Sequence, residues 1–178
     1  MKTLVFDTET TGLIKNRTTP AGRQPEIIEF YGTLVDLATG EVDQELDLLI
    51  KPERPITDEI TRITGIDDSM VAEAPPFKEV ADQIRAIISS ADAVIAHNLS
   101  FDMDMVEHEF TRLDQTVPWP VERVCTVEQT VHLKGRRLRL IDLHELLFGE
   151  PFKEAHRAKN DTQALIRCAV ELTKRGEL

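Results

Sequence analysis

Asp7-Thr8-Glu9 puts two carboxylates two residues apart, a spacing that points both side chains the same way in an extended strand. Such a pair suits a hard divalent cation, and equally suits a solvated strand end running into the polar turn Thr10-Thr11-Gly12. A second acid, Asp102, closes the run His97-Asn98-Leu99-Ser100-Phe101-Asp102. Taken alone, an Asp in the first turn of a helix is often only a favourable partner for the helix dipole. A third, Asp161, ends His156-Arg157-Ala158-Lys159-Asn160-Asp161, where His156 precedes it by five positions. No one of these groups separates chemistry from ordinary surface.

Together they do more. Asp7, Glu9, Asp102 and Asp161 could supply the oxygen-rich, negatively charged pocket that Mg²⁺ or Mn²⁺ requires. Two such ions roughly 4 Å apart can activate water and stabilise a leaving oxygen in phosphodiester cleavage. A nearby histidine, whose pKa lies near neutrality, is the natural acceptor for the water's proton.

These residues need elements to hold them. Residues 2–7 are rich enough in β-branched side chains for a strand, and residues 26–37 and 41–50 read as a hairpin around Ala38-Thr39-Gly40, stopped by Pro52 and Pro55. Thr57 can cap a short helix that ends at Gly65. Pro75-Pro76 opens a helix over 77–90, with Val80, Ile84, Ile87 and Ile88 on one side. A short apolar strand at 92–97 leads into a helix that Ser100 can cap and that runs to Leu113. After the loop Val117-Pro118-Trp119-Pro120, residues 123–126 form a strand entering a short helix. A helix over 140–147 then ends at Gly149, and a last one over 157–174 ends near Gly176. A hairpin followed by strands alternating with helices implies an α/β fold with a mixed central sheet flanked by helices.

With 41% hydrophobic and 30% charged residues, no repeat and no low-complexity tract, residues 1–178 are expected to form a single domain. A strand follows Met1 at once and no run reaches the ~18 apolar residues of a membrane span, so no membrane association and a cytoplasmic location are expected. Cys125 and Cys168 are far apart, without CxxC spacing, and read as buried reduced thiols. The net charge of −11 speaks against a general nucleic-acid coat protein, but not against an enzyme whose carboxylates hold cations.

The order Asp7-Thr-Glu9-Thr-Thr-Gly12, His97-Asn98-x-x-Phe101-Asp102, His156-Arg-Ala-x-x-Asp161-Thr162 resembles the three motifs of the DEDDh 3′→5′ exonucleases. The proofreading epsilon subunits of bacterial DNA polymerase III are the branch most similar in appearance, and Ile63-Thr64-Gly65-Ile66 resembles their loop between the first two motifs. The resemblance implies a ribonuclease H-like fold and two Mg²⁺ or Mn²⁺ ions held by Asp7, Glu9, Asp102 and Asp161, with His156 as general base. It implies that Thr10, Gly12 and Leu13 receive the terminal nucleotide, with Ile63 and Phe101 near its base and sugar, while His97 and Asn98 brace the second motif. A sister group uses Tyr in place of the histidine, and Tyr31 lies in the wrong segment for that role. The substrate implied is the 3′ end of single-stranded DNA, or RNA in a trimming relative, with a DNA polymerase as the partner suggested by the epsilon branch. Leu178 lies just past the last expected helix, where proofreading subunits continue into a polymerase-binding tail; either a free-standing enzyme or docking through the surface is expected. Phe30-Tyr31-Gly32 departs from the small apolar run usual in relatives, which concerns packing. The run Lys134, Arg136, Arg137, Arg139 reads equally as a phosphate guide and as a solvated loop. A catalytically silent nucleic-acid-binding module is the alternative from another class, and it is set against the presence of all five catalytic residue types.

Overall fold

The computed structural model describes residues 1–16, 18–153 and 156–178. Five strands, β1 (Lys2–Thr10), β2 (Ile27–Asp36), β3 (Val42–Leu49), β4 (Ala93–Ala96) and β5 (Glu122–Cys125), form one sheet in the order β3-β2-β1-β4-β5. The β1-β2-β3 half is antiparallel, whereas β4 runs parallel to β1 and β5 parallel to β4. The expected mixed α/β sheet is therefore present. The helices are α1 (Asp58–Thr64), α2 (Phe77–Ser89), α3 (Leu99–Arg112), α4 (Thr126–Gln129), α5 (Val131–Lys134), α6 (Leu140–Phe148) and α7 (Ala158–Lys174).

Period-two alternation along β1 decides what each face meets. Leu4 and Phe6 point into the layer of α2 and α3, packing with Phe30, Ile84, Met105 and Phe110. Val5 faces the other way, against Leu165 and Ala169 of α7. Helix α2 follows the apolar spacing seen in the sequence, burying Phe77, Val80, Ala81, Ile84, Ile87 and Ile88. Each buried Ile or Phe removes enough apolar surface to contribute about 2 kcal/mol. Gly32 explains the unusual Phe30-Tyr31-Gly32 run. A Cβ there would stand 3.1 Å from Leu4 Cδ1 and 3.1 Å from the Phe30 ring, so any larger residue would have to push one of these side chains aside.

Two local expectations need correction. Ser100 does not cap α3: the helix begins at Leu99, after Asn98 turns the chain through a left-handed φ of 81° that asparagine tolerates well. Cys125 is only partly buried, although both cysteines are free and Cys168 is buried as expected. Thr57 does cap α1, accepting from Ile60 N, and Gly65 ends it with a left-handed φ of 73°. Among the described residues no helix is long and apolar enough to cross a membrane.

Candidate active site

The alternation of β1 carries on past its apolar stretch. Asp7 and Glu9 share the face of Val5 and so look toward α7, while Thr8 looks toward α3. Helix α7 brings Asp161 to the first pair: carboxylate oxygens of Asp7, Glu9 and Asp161 lie within 4.8 Å of one another. Asp102, 2% exposed in the first turn of α3, stands beside this triad and is tied to β1 by Thr8, whose N and Oγ1 both donate to Asp102 Oδ1 at 3.0 and 2.8 Å. Thr8, silent in the sequence, is thus the link that sets the second acidic segment against the first.

Crowding four acids in a poorly hydrated place penalises their charged forms. Burial, then repulsion from Asp102, Glu9 and Asp161, holds Asp7 well above the usual carboxylate range. Burial and the charges of Asp161 and Glu29 push Glu9 up to about 8. Burial raises Asp102 to about 7 against the two bonds from Thr8, and Asp161 to about 6 against a bond from the His156 backbone. Asp161 Oδ2 accepts that bond at 3.1 Å, but its Oδ1 is buried without a hydrogen-bond partner among the described residues. Three converging carboxylates and an orphaned buried oxygen fit a divalent cation, whose charge would offset the repulsion.

Arg157, a cation beside Glu9, is already committed. Glu29, 1% exposed on β2 and directly opposite Glu9, receives Arg157 Nε at 3.1 and 3.3 Å, Arg157 Nη2 at 2.6 Å and the backbone N of Ala158 at 2.8 Å. Glu29 thereby fastens the first turn of α7. His156, exposed just before that turn, has a left-handed φ of 69°, a conformation costly for a residue with a Cβ. It is held by the Glu29 clamp on its C-terminal side and by its own N–H on Asp161.

The five residues expected to receive a nucleotide come together. Thr10, Gly12, Leu13, Ile63 and Phe101 line one cleft of about 630 Å³ with Glu9. Thr10 lies on the strand itself, not in the turn, and donates to Gly12 O at 2.7 Å. Leu13 and Ile63 are 82% and 49% exposed, apolar surfaces at the cleft's rim. Glu59 and Thr57, at the start of α1, also line it. His97 is bonded through Nδ1 to Thr126 Oγ1 at 2.9 Å and through Nε2 to Leu138 O at 3.0 Å, so both ring nitrogens serve to join segments. Tyr31 is buried, and burial together with the neighbouring Glu45 raises the pKa of its hydroxyl. In the basic run, Arg137 pairs with Glu128 and Arg139 with Asp142.

A family model described as RNase_T, exonuclease, matches residues 4–169. Over 172 residues the chain is 28% identical to a PolC-type DNA polymerase III of Caldanaerobacter subterraneus, covering 97% of this chain and 12% of that protein. Over 130 residues it is 32% identical to DNA polymerase III subunit epsilon of Haemophilus influenzae, covering 73% of this chain and 48% of that one. The chain thus spans about half the length of one of these relatives and a small fraction of the other. The nuclease domain of 3′hExo, a DEDDh family member bound to rAMP, superposes with a TM-score of 0.80 at 17% identity, over 98% of this chain and 92% of that one. Exonuclease X in complex with 5′ overhanging duplex DNA gives a TM-score of 0.68 at 22% identity, over 98% and 93%. The mixed five-stranded sheet with flanking helices matches the ribonuclease H-like architecture of the DEDDh nuclease domain.

Proposed function

Because the chain belongs to the RNase_T exonuclease family, we propose that it removes nucleoside 5′-monophosphates one at a time from the 3′ end of single-stranded DNA. The observation that carries this reading is the convergence of Asp7, Glu9 and Asp161 on one point, with Asp102 beside them and His156 at the start of α7. Exonucleases of this family generally use divalent metal ions, and these four carboxylates are the residues that would hold two Mg²⁺ or Mn²⁺. When bound, the ions neutralise charge developing on the phosphate and lower the pKa of water. His156 then takes the water's proton, and its exposed position leaves the ring free to pass that proton to solvent. Thr10, Gly12, Leu13, Ile63 and Phe101 seat the terminal nucleoside beside Glu9, fixing which phosphodiester is broken. Water's oxygen joins phosphorus, the bond to the 3′ oxygen of the preceding nucleotide breaks, and that oxygen takes a proton from solvent to become the new 3′ hydroxyl. The relatives named for DNA polymerase III suggest proofreading beside a polymerase as the setting.

The test is digestion of a 5′-labelled single-stranded DNA oligonucleotide, beside RNA of the same sequence, with Mg²⁺ or Mn²⁺. A ladder shortening stepwise from the 3′ end, faster on DNA and abolished by chelator, is expected. Faster shortening of RNA would replace the substrate with an RNA end, and no cleavage of either strand would overturn the reading.

A further inference from the structure

Two clefts flank the carboxylate triad, and their charges are opposite. The cleft that takes the terminal nucleoside has, among the described residues, Glu9 and Glu59 as its charged lining and no cation. The second, of about 540 Å³, lies between the C-terminal end of α1 and the first turn of α7, and among the described residues its charged lining is Arg62, Arg157 and Lys159, with no carboxylate. Ile63 and Thr64 belong to both walls, so the end of α1 is the partition between them. In a chain of net charge −11, three cations gathered in one cleft next to an acidic centre are not the background of its surface.

We propose that this second cleft is the subsite for the penultimate nucleotide, with Arg62 contacting the phosphate on its 5′ side. The inference rests on the exonuclease reading above. With a terminal nucleoside beside Glu9 and its phosphate at the triad, the rest of the strand must leave the triad by another wall. Arg157, which lines the basic cleft, is bound to Glu29 directly across the sheet from Glu9, so that cleft adjoins the acidic centre. A terminal nucleoside carries no phosphate beyond its own and tolerates an acidic pocket. The continuing backbone carries one negative charge per nucleotide and is favoured where cations gather. A strand continuing through the first cleft instead would press its phosphates against Glu9 and Glu59.

Among the three cations, Arg62 is the one most available to the strand. Arg157 is bound to Glu29. Lys159 pairs with Glu45 and Asp47 at 3.3 and 3.1 Å, exposed contacts that exchange readily. Arg62 is exposed and has no ion pair among the described residues, and its Nε donates to Asp58 O at 3.2 Å, which steadies the side chain along α1. Ile63, beside it and half exposed at the partition, is placed to separate the terminal base from the next.

The test uses the full chain and two substrates that share a terminal nucleotide. One is oligothymidylate; the other is the p-nitrophenyl ester of thymidine 5′-monophosphate, in which p-nitrophenolate replaces the penultimate nucleotide. Arg62→Ala is expected to raise KM for the oligonucleotide about tenfold with little change in kcat. The kcat/KM ratio of oligonucleotide over ester should fall by the same factor, and Arg62→Glu should lower it further. The salt slope of log kcat/KM on the oligonucleotide should become shallower by about 0.7, the value of one lost phosphate contact on a single strand. A wild-type ratio and a wild-type salt slope in both variants would overturn the subsite. Failure of the wild-type protein to hydrolyse either substrate would instead remove the exonuclease reading beneath it.

Discussion

Replacing Glu29 with Ala should loosen the start of α7 and slow catalysis without touching any of the residues proposed to hold metal. The carboxylate is 1% exposed and accepts from Arg157 Nε, Arg157 Nη2 and Ala158 N. Its removal strands the Ala158 N–H, which belongs to a fully buried residue, at a cost of about 1–3 kcal/mol. Breaking a wholly buried ion pair would add about 3–5 kcal/mol, but the Arg157 side chain is 38% exposed and can turn to water, which removes most of that. Relief of repulsion works the other way, because Glu29 contributes to the raised pKa of Asp7, Glu9 and Asp161. The net loss should be about 2 kcal/mol in urea denaturation. Activity should fall by more than stability explains, since the left-handed backbone at His156 is no longer clamped from its C-terminal side; a drop of about a hundredfold in kcat is expected. Glu29→Gln keeps an acceptor for Ala158 N and should recover part of both losses, while Glu9 titrates below its present value of about 8. Wild-type stability together with wild-type kcat in Glu29→Ala would refute the clamp.

Other outcomes follow from the same contacts. Glu9, Asp102 and Asp161 titrate in the folded chain at about 8, 7 and 6, above their ordinary values. The folded state therefore binds more protons than the unfolded one between about pH 4 and 8, and metal-free stability should fall as pH rises through that window. Mn²⁺ should raise the calorimetric Tm more at pH 8 than at pH 5.5, and an equal increment at both would contradict the cluster's role. Gly32→Ala places a methyl 3.1 Å from Leu4 Cδ1 and from Phe30, and should cost about 1–3 kcal/mol in a denaturant melt. Leu13→Ala, at an 82% exposed position, should leave stability within about 0.5 kcal/mol while raising KM for oligonucleotides.

The carboxylates were legible because strand alternation is local: two residues apart on β1 means one face, whatever the rest of the chain does. The helix caps at Thr57, Gly65 and Gly149 were legible for the same reason. Glu29 was not, because its importance comes from sitting opposite Glu9, a pairing register set only when β1 and β2 meet. The Thr8–Asp102 bond joins residues 94 positions apart and has no sequence signature. Asn98 displaced Ser100 at the head of α3 because the chain needs a left-handed residue on leaving β4, a demand that cap preferences do not reveal. The charge contrast between the two clefts likewise depends on α1 docking against the start of α7.

The central claim is that the acids converging on β1 and α7 are the catalytic centre of a metal-dependent exonuclease. Release of dTMP from oligothymidylate as a function of Mn²⁺ concentration, in the wild type and in Asp7→Asn, tests it most directly. The wild-type rate should rise with Mn²⁺ and vanish with chelator, and Asp7→Asn should be slower by about a thousandfold at every concentration. A variant within tenfold of wild type at saturating Mn²⁺ would contradict the account.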